Sequence, residues 1–360
     1  MRTTAVDRFT EVAIAAFLWV FRIAVVLVVV IGSFLTIVGG QYSGETWVSL
    51  IVSGLTTGSV YALMALGYTM VYGILRMINF AHGEIFMSGA FAGYFVATGF
   101  AAMGFLNAGP LQSIAAVIVM LVVAAAISTG IALLVERIAY RPLRNAPRLV
   151  PLIAAIGASF FLQYTVRGLF GPGVYAYPDV NVLAQSVPLP VTFLHLKWID
   201  IVVVASALVM MTGLYWFVMR TRTGTAIRAV SEDKSTAELM GIDVNRAIVT
   251  TFGVGAAMAG AAGVLYCLMF RQVFFYTGFI PGLKAFTAAV LGGIGNVPGA
   301  MLGGLFLGQV ESVGPTLFFA GLNVPSANQL KDVIAFTLLV LVLVFRPSGI
   351  LGERVTSQRA

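Results

Sequence analysis

Arg76–Glu84, RMINFAHGE, is the densest group of polar and ionisable side chains beside an apolar stretch in this 360-residue chain. Asn79, His82 and Glu84 are separated there by Phe80, Ala81 and Gly83. His82 is the local group that ordinarily titrates near neutral pH, so proton transfer is the first chemistry the spacing suggests. A relay needs more partners than these neighbours supply. Two readings stay open: a short turn whose polar groups cap the next helix, or an interrupted helix whose free backbone groups line a path. Other ionisable residues close to apolar stretches are Arg22 and Arg167, both able to snorkel from near a helix end, and Glu311. No Gly-x-Ser-x-Gly, His-Glu-x-x-His or Gly-x-x-x-x-Gly-Lys-Ser/Thr motif occurs, so neither catalysis nor ATP binding through a P-loop is expected of this chain. The single Cys267 forms no disulfide framework, and His82 and His195 are too few and too far apart for a metal site.

The elements that hold these residues must be membrane helices. The chain is 59% hydrophobic and 10% charged, with mean hydropathy +0.98. That is well below the roughly one-quarter charged residues of a soluble domain, too little charge for a water-facing surface. The formal charge of +7 is spread over short loops between apolar stretches, as membrane topology requires, and forms no nucleic-acid-binding patch. The predicted spans are Val12–Val38, Trp47–Gly73, Ile78–Thr98, Ser113–Val135, Leu149–Phe170, Ile201–Met219, Ile248–Phe270 and Val333–Phe345, with a ninth stretch at Leu283–Val313. The first is read as an uncleaved helix, because its apolar run exceeds a signal peptide's and no small-residue cleavage site follows.

Basic loops fix the orientation. Glu136–Arg148 carries four arginines, Arg220–Arg246 five basic residues and the tail from Arg346 three, so all should face the cytoplasm, as should both termini. Gly171–Lys197, poor in charge and containing Pro172, Pro178, Pro188 and Pro190, should be external. Parity then requires Leu283–Val313 to start and end outside. Its centre, LGGIGNVPGAMLGG, predicts either a pair of short helices meeting at a re-entrant break or two thin full spans packed through glycine. The fold class is therefore an all-α polytopic membrane protein with about eight full spans plus this glycine-rich pair. Gly89/Gly93 and Gly299/Gly303 repeat the G-x-x-x-G spacing of closely packed helices, and a solute-contacting face would look the same.

Gly224–Arg246, with seven charged residues, is a polar island with helix signals of its own. Ser231 followed by Glu232 and Asp233 predicts a helix start, and Ser235–Glu238 offers a competing capping box one turn later. Gly241 should end that helix, and Asp243 should cap the next span from about Val244. A helix of about two turns is marginal in water and needs a surface to dock on.

The island resembles the cytoplasmic coupling loop of ABC-importer permeases. With GLTTGSVYALMALGYTMVYGILRMINFAHGE (Gly54–Glu84), VERIAYRPLRNAPRLVPLIAAIGASFFLQ (Val135–Gln163) and AVLGGIGNVPGAMLGG (Ala289–Gly304), it is similar to the LivH-type permease of the branched-chain amino-acid transport family over residues 47–352. Residues 1–46 fall outside as an added helix, and 353–360 form a tail. The resemblance implies a bacterial-type inner-membrane importer. Its partners would be a second, LivM-like permease, two ATPase subunits that bind ATP and magnesium, and a periplasmic or surface-tethered protein delivering leucine, isoleucine or valine. It implies ATPase-coupling roles for Glu232, Asp233, Glu238 and Gly241, with Arg228 on their flank. It also implies translocation-path roles for Asn79, His82, Gly83, Gly292, Gly293 and Gly295. Related permeases carry urea or short amides. An ion-coupled secondary transporter is the competing class, but of 14 acidic residues only Glu84 and Glu311 approach membrane depth.

Overall fold

The computed structural model describes residues 5–144, 146–147, 149–188, 196–346 and 348–352, with side chains from residue 11 onward. His195, Arg148 and the tail 353–360 of the sequence reading lie outside the described residues. The chain is almost wholly helical. Its helices are α1 (Ala5–Gly39), α2 (Gly44–Leu75), α3 (His82–Ala102), α4 (Pro110–Val135), α5 (Leu149–Phe170), α6 (Asn181–Ala184), α7 (Trp198–Arg220), α8 (Arg222–Glu232), α9 (Lys234–Leu239), α10 (Val244–Phe270), α11 (Phe279–Gly292), α12 (Val297–Gly314) and α13 (Lys331–Phe345). Among the described residues nine helices are long and apolar enough to cross a bilayer, and α11 is a shorter apolar helix. Helices dominate because lipid offers no partner to backbone N–H and C=O groups.

The core is built around α2, whose stretch Val60–Leu66 is almost fully buried. α2 packs antiparallel against α12. Gln309 Nε2 donates to the Ile51 carbonyl (2.9 Å) and Ser312 Oγ to that of Leu50 (2.7 Å), while Gly58 faces Leu305 and Gly308, and Ala62 faces Gly304. A Cβ on Gly308 would run into the backbone of Gly54 and Gly58, so two bare helix surfaces are needed for this approach. α10 lies on the other side, with Gly255 against Gly67 and Gly260 against Gly89. α1 stays at the periphery. It touches the helix that extends α12 through Pro315–Leu322, where Gly321 N–H donates to Thr36 Oγ1 (2.8 Å), and Arg22 lies 5.3 Å from the Phe345 ring.

The bundle has two distinct ends. At one, Arg76 Nη2 donates to the Ser231 carbonyl (2.9 Å) and Arg144 Nη1 to Asn245 Oδ1 (2.9 Å), drawing the predicted basic loops together. Glu136, expected in an open loop, is buried there and paired with Arg144. At the other, Tyr175–Ala176 pairs antiparallel with Gln272–Val273, and Asp179 meets Arg271 (3.1 Å).

Three sequence expectations change. The third span starts at His82, four residues later than predicted, because Arg76–Ala81 is irregular. The glycine-rich stretch is the broken pair expected, α11 and α12 meeting at residues 293–296, but its two arms are unequal. α11, at 14 residues, reaches about 21 Å, whereas α12 and its extension run 26 residues to Leu322. The third change is in the polar island, which folds as two helices and not one.

Candidate functional site

Arg76 ends α2 in the left-handed conformation (φ 55°), its N–H bonding the Tyr72 carbonyl, and the chain turns back into the bundle. The return is measurable along α2. The His82 ring bonds the Met64 carbonyl, lies edge-on to Tyr68 at 4.7 Å and packs against Gly67. Met64 is twelve residues from Arg76, about 18 Å of helix. α3 therefore begins inside the bundle, and of the two sequence readings the structure has the interrupted helix at depth.

The turn places three buried side chains within six residues. Asn79 Oδ1 accepts from Tyr140 Oη (2.7 Å), and Glu84 Oε1 accepts from Gln163 Nε2 (2.6 Å) and Ser159 Oγ (3.3 Å). Asn79 Nδ2, His82 Nε2 and Glu84 Oε2 have no hydrogen-bond partner among the described residues. Gly83 meets Gly278 and Gly282 at the head of α11, a contact that a side chain on any of the three would obstruct. A cavity of about 60 Å³ opens here, lined by Gly83, Glu84, Ser159, Ile156, Phe160 and Gly282 among others. Tyr140, Ser159 and Gln163 were missed from sequence, since they lie more than sixty residues from the groups they contact.

The predicted Gly292, Gly293 and Gly295 sit elsewhere. Gly293 (φ 107°) and Gly295 (φ 96°) form the break between α11 and α12, and Asn296 caps α12 by accepting from Gly299 N–H (2.9 Å). The C-terminal segment covers the break: Ile350 N–H donates to the Leu291 carbonyl (2.8 Å) and Leu351 N–H to that of Gly292 (3.1 Å). This satisfies carbonyls that a helix end leaves free. The expected path residues thus fall into two groups, joined only by the length of α11.

α11 also carries a charge cluster that sequence inspection passed over. Lys284 Nζ lies 2.6 Å from Glu311 Oε1 and 2.6 Å from Asp332 Oδ1, and 5.9 Å from the Tyr61 ring centroid. Lys284 and Glu311 are buried, while Asp332 is half exposed. A lysine one residue into the apolar stretch Leu283–Val313 was the readable signal.

The polar island holds two helices, not one. Thr221 caps α8 by accepting from Gly224 N–H (3.0 Å), so the helix starts nine residues before the predicted Ser231 cap. Ser231 sits inside α8, donating to the Arg228 carbonyl (2.7 Å), and Glu232 is its last residue. Ile227 and Val230, buried beneath, set this start. Asp233 caps α9, accepting from Ser235 N–H (2.9 Å) and Thr236 N–H (3.1 Å), and displaces the Ser235–Glu238 capping box. Gly241 (φ 83°) ends α9 as expected, with Ile242 N–H returning to the Ala237 carbonyl (3.0 Å), and Asp243 caps α10 (2.9 Å). Arg228, Glu232, Asp233, Glu238 and Gly241 are all exposed on this turn, with Leu239 88% and Met240 78% exposed beside them. Partial burial, and then Arg144 and Arg76, push the Lys234 ammonium below its ordinary pKa, a sign of crowded cations at this end.

This arrangement is a bundle with a broken helix pair at depth, a small polar cavity and a capped helix pair projecting from the basic end. Residues 50–343 match the family model described as branched-chain amino acid transport system, permease component. The chain belongs to this permease family. It is 45% identical over 312 residues to the high-affinity branched-chain amino acid transport system permease protein BraD of Pseudomonas aeruginosa, covering 84% of this chain and 95% of that one. It is 42% identical over 305 residues to the corresponding LivH of Escherichia coli K12, covering 84% and 94%. Residues 1–49, including all of α1, lie outside the matched family region, in keeping with the peripheral packing of α1.

Proposed function

We propose that this permease is one membrane subunit of an ATP-driven importer that carries branched-chain amino acids across a bacterial-type inner membrane. The solute arrives from a binding protein outside. A second permease completes the pathway, and two cytoplasmic ATPase subunits hold ATP and magnesium. The basic end of the bundle faces the cytoplasm, with both termini, since positive loops are retained there.

The observation that carries the coupling role is the α8–α9 pair. It is capped at every junction, anchored to the bundle through Arg76 and Ile227, and ends in Leu239 and Met240, which the described residues leave 88% and 78% exposed. Two exposed large apolar residues at the end of a six-residue helix suit a cleft of a partner, and a chain without a nucleotide motif draws on ATP only through such a contact. Arg228, Glu232, Asp233 and Glu238 frame the contact, and Gly241 fixes the exit angle of α9.

The test is uptake of leucine, isoleucine and valine by proteoliposomes containing the full complex, alongside ATP hydrolysis. Replacing Glu238 and Gly241 together is expected to uncouple hydrolysis from uptake while membrane insertion persists. Gly241→Val by itself forces a β-branched residue to positive φ, about 1–2 kcal/mol of strain at this joint. Unchanged uptake in these variants would sink the assignment.

A further inference from the structure

Glu84 is 1% exposed, and among the described residues no lysine, arginine or histidine forms an ion pair with it. The nearby candidates are engaged elsewhere. Lys284 is held by Glu311 and Asp332, and Arg167, one turn past Gln163, lies over the Tyr164 and Phe275 rings. One carboxylate oxygen is used, by Gln163 and Ser159, and Oε2 is left without a partner at the wall of the cavity. A buried carboxylate without a counter-ion is costly in a membrane and marks a place where a cation is accommodated.

The cavity sets the size and chemistry of that cation. About 60 Å³ admits a small polar head group or a few water molecules. Its rim is apolar: Ile156 and Phe160 on α5 are 40% and 49% exposed, and Leu283 flanks them from α11. We infer that Glu84 and this cavity form a subsite for the ammonium group of the translocated amino acid, with the apolar side chain of the solute resting on Ile156, Phe160 and Leu283. The charge-assisted bond from ammonium to Oε2 supplies the missing partner. Gly83 and Gly282, packed against each other, form a side-chain-free part of the cavity wall. This inference rests on the reading of the chain as an amino-acid permease, and adds the residue that meets the solute.

The test uses the assembled complex with Cys267→Ala, so that a single introduced thiol is the only one in this chain. Ile156→Cys is labelled with 2-aminoethyl methanethiosulfonate, which is cationic, and with the anionic 2-sulfonatoethyl reagent, each rate normalised to free thiol. With Glu84 in place the cationic reagent is expected to be favoured by about tenfold, the effect of one carboxylate a few ångströms away in a partly polar medium. Glu84→Gln keeps an acceptor for Gln163 but removes the charge, and should bring the ratio near one. Glu84→Asp should retain part of the preference. Leucine should slow the cationic reaction, and its 2-hydroxy analogue, which has no ammonium, should not. Phe160→Cys serves as a second position where Ile156→Cys fails to assemble. The same ratio with Glu84 in place and in the Glu84→Gln variant, or no reaction at either position, overturns the subsite and leaves water as the occupant. The labelling needs neither ATP hydrolysis nor the binding protein, so a failed coupling assignment leaves this result standing, and the reverse holds too.

Discussion

Lys284→Met is the substitution whose effect the structure determines most fully. Lys284 Nζ is 2.6 Å from both Glu311 and Asp332, and the lysine and glutamate are buried. At an effective dielectric near 20, one contact at that distance has a gross Coulomb energy of about 6 kcal/mol, most of it offset by desolvation of the ions. The uncompensated part appears only when a partner is removed. Without Lys284, Glu311 is left buried without its cation, which costs about 3–5 kcal/mol. Asp332 is 45% exposed, although its Oδ1 is buried, so it adds less than Glu311. Glu311→Gln leaves the Lys284–Asp332 pair and a neutral acceptor, a loss of about 1–2 kcal/mol. The double variant Lys284→Met/Glu311→Leu removes both buried charges and should recover most of the stability lost in Lys284→Met. The assay is unfolding of the detergent-solubilised complex in graded SDS, with thermal denaturation as a second measure. The reasoning is refuted if Lys284→Met is no more damaging than Glu311→Gln, or if the double variant is less stable than Lys284→Met alone.

Two further substitutions test the packing and the turn. Gly308→Ala puts a Cβ into the backbone of Gly54 and Gly58 and should cost about 1–3 kcal/mol by forcing α2 and α12 apart, whereas Gly130→Ala, which meets open space, should be neutral or slightly stabilising in the same melting assay. Tyr140→Phe keeps the ring beside Phe252 but leaves Asn79 without its remaining side-chain partner, and a loss of about 1–3 kcal/mol is expected in thermal denaturation.

The spans were legible because an apolar run of membrane length has few alternatives, and the basic loops between them carry a charge signal independent of packing. Gly241 and Asp243 were legible for a local reason: a positive φ after a helix and a carboxylate before the next one are properties of single residues. Ser231 looked equally good as a cap, and failed because the start of α8 is decided by Ile227 and Val230 packing against the bundle. Caps compete, and tertiary contact selects among them. The depth of His82 was invisible for a similar reason. RMINFAHGE reads alike whether it turns at the surface or dips inward, and only the contacts with Met64, Gly67 and Tyr68 distinguish the two. Lys284 was a different kind of miss, since its type and position were plain in the sequence and its partners, 27 and 48 residues on, were not.

The two polar groups inside the bundle differ in charge balance. Lys284, Glu311 and Asp332 pair with one another and join α11, α12 and α13, although Glu311 Oε2 is also left without a hydrogen-bond partner among the described residues. Asn79, His82 and Glu84 each use one polar atom to tie a neighbouring segment and keep another without a partner, at about 1–3 kcal/mol apiece. A bundle that closes its glycine contacts to backbone distance on α2, α10 and α12 has the means to exclude such groups. It instead gathers three within six residues, where a helix is broken and a cavity opens. That arrangement is unstable as pure architecture and sensible as a stopping place for a polar solute, whose passing hydrogen bonds replace those the protein leaves unmade. Under the proposed function, the membrane half of the machine would be organised around the broken start of α3, and the α8–α9 pair, reached from it through the last turns of α2 and Arg76, would be its lever.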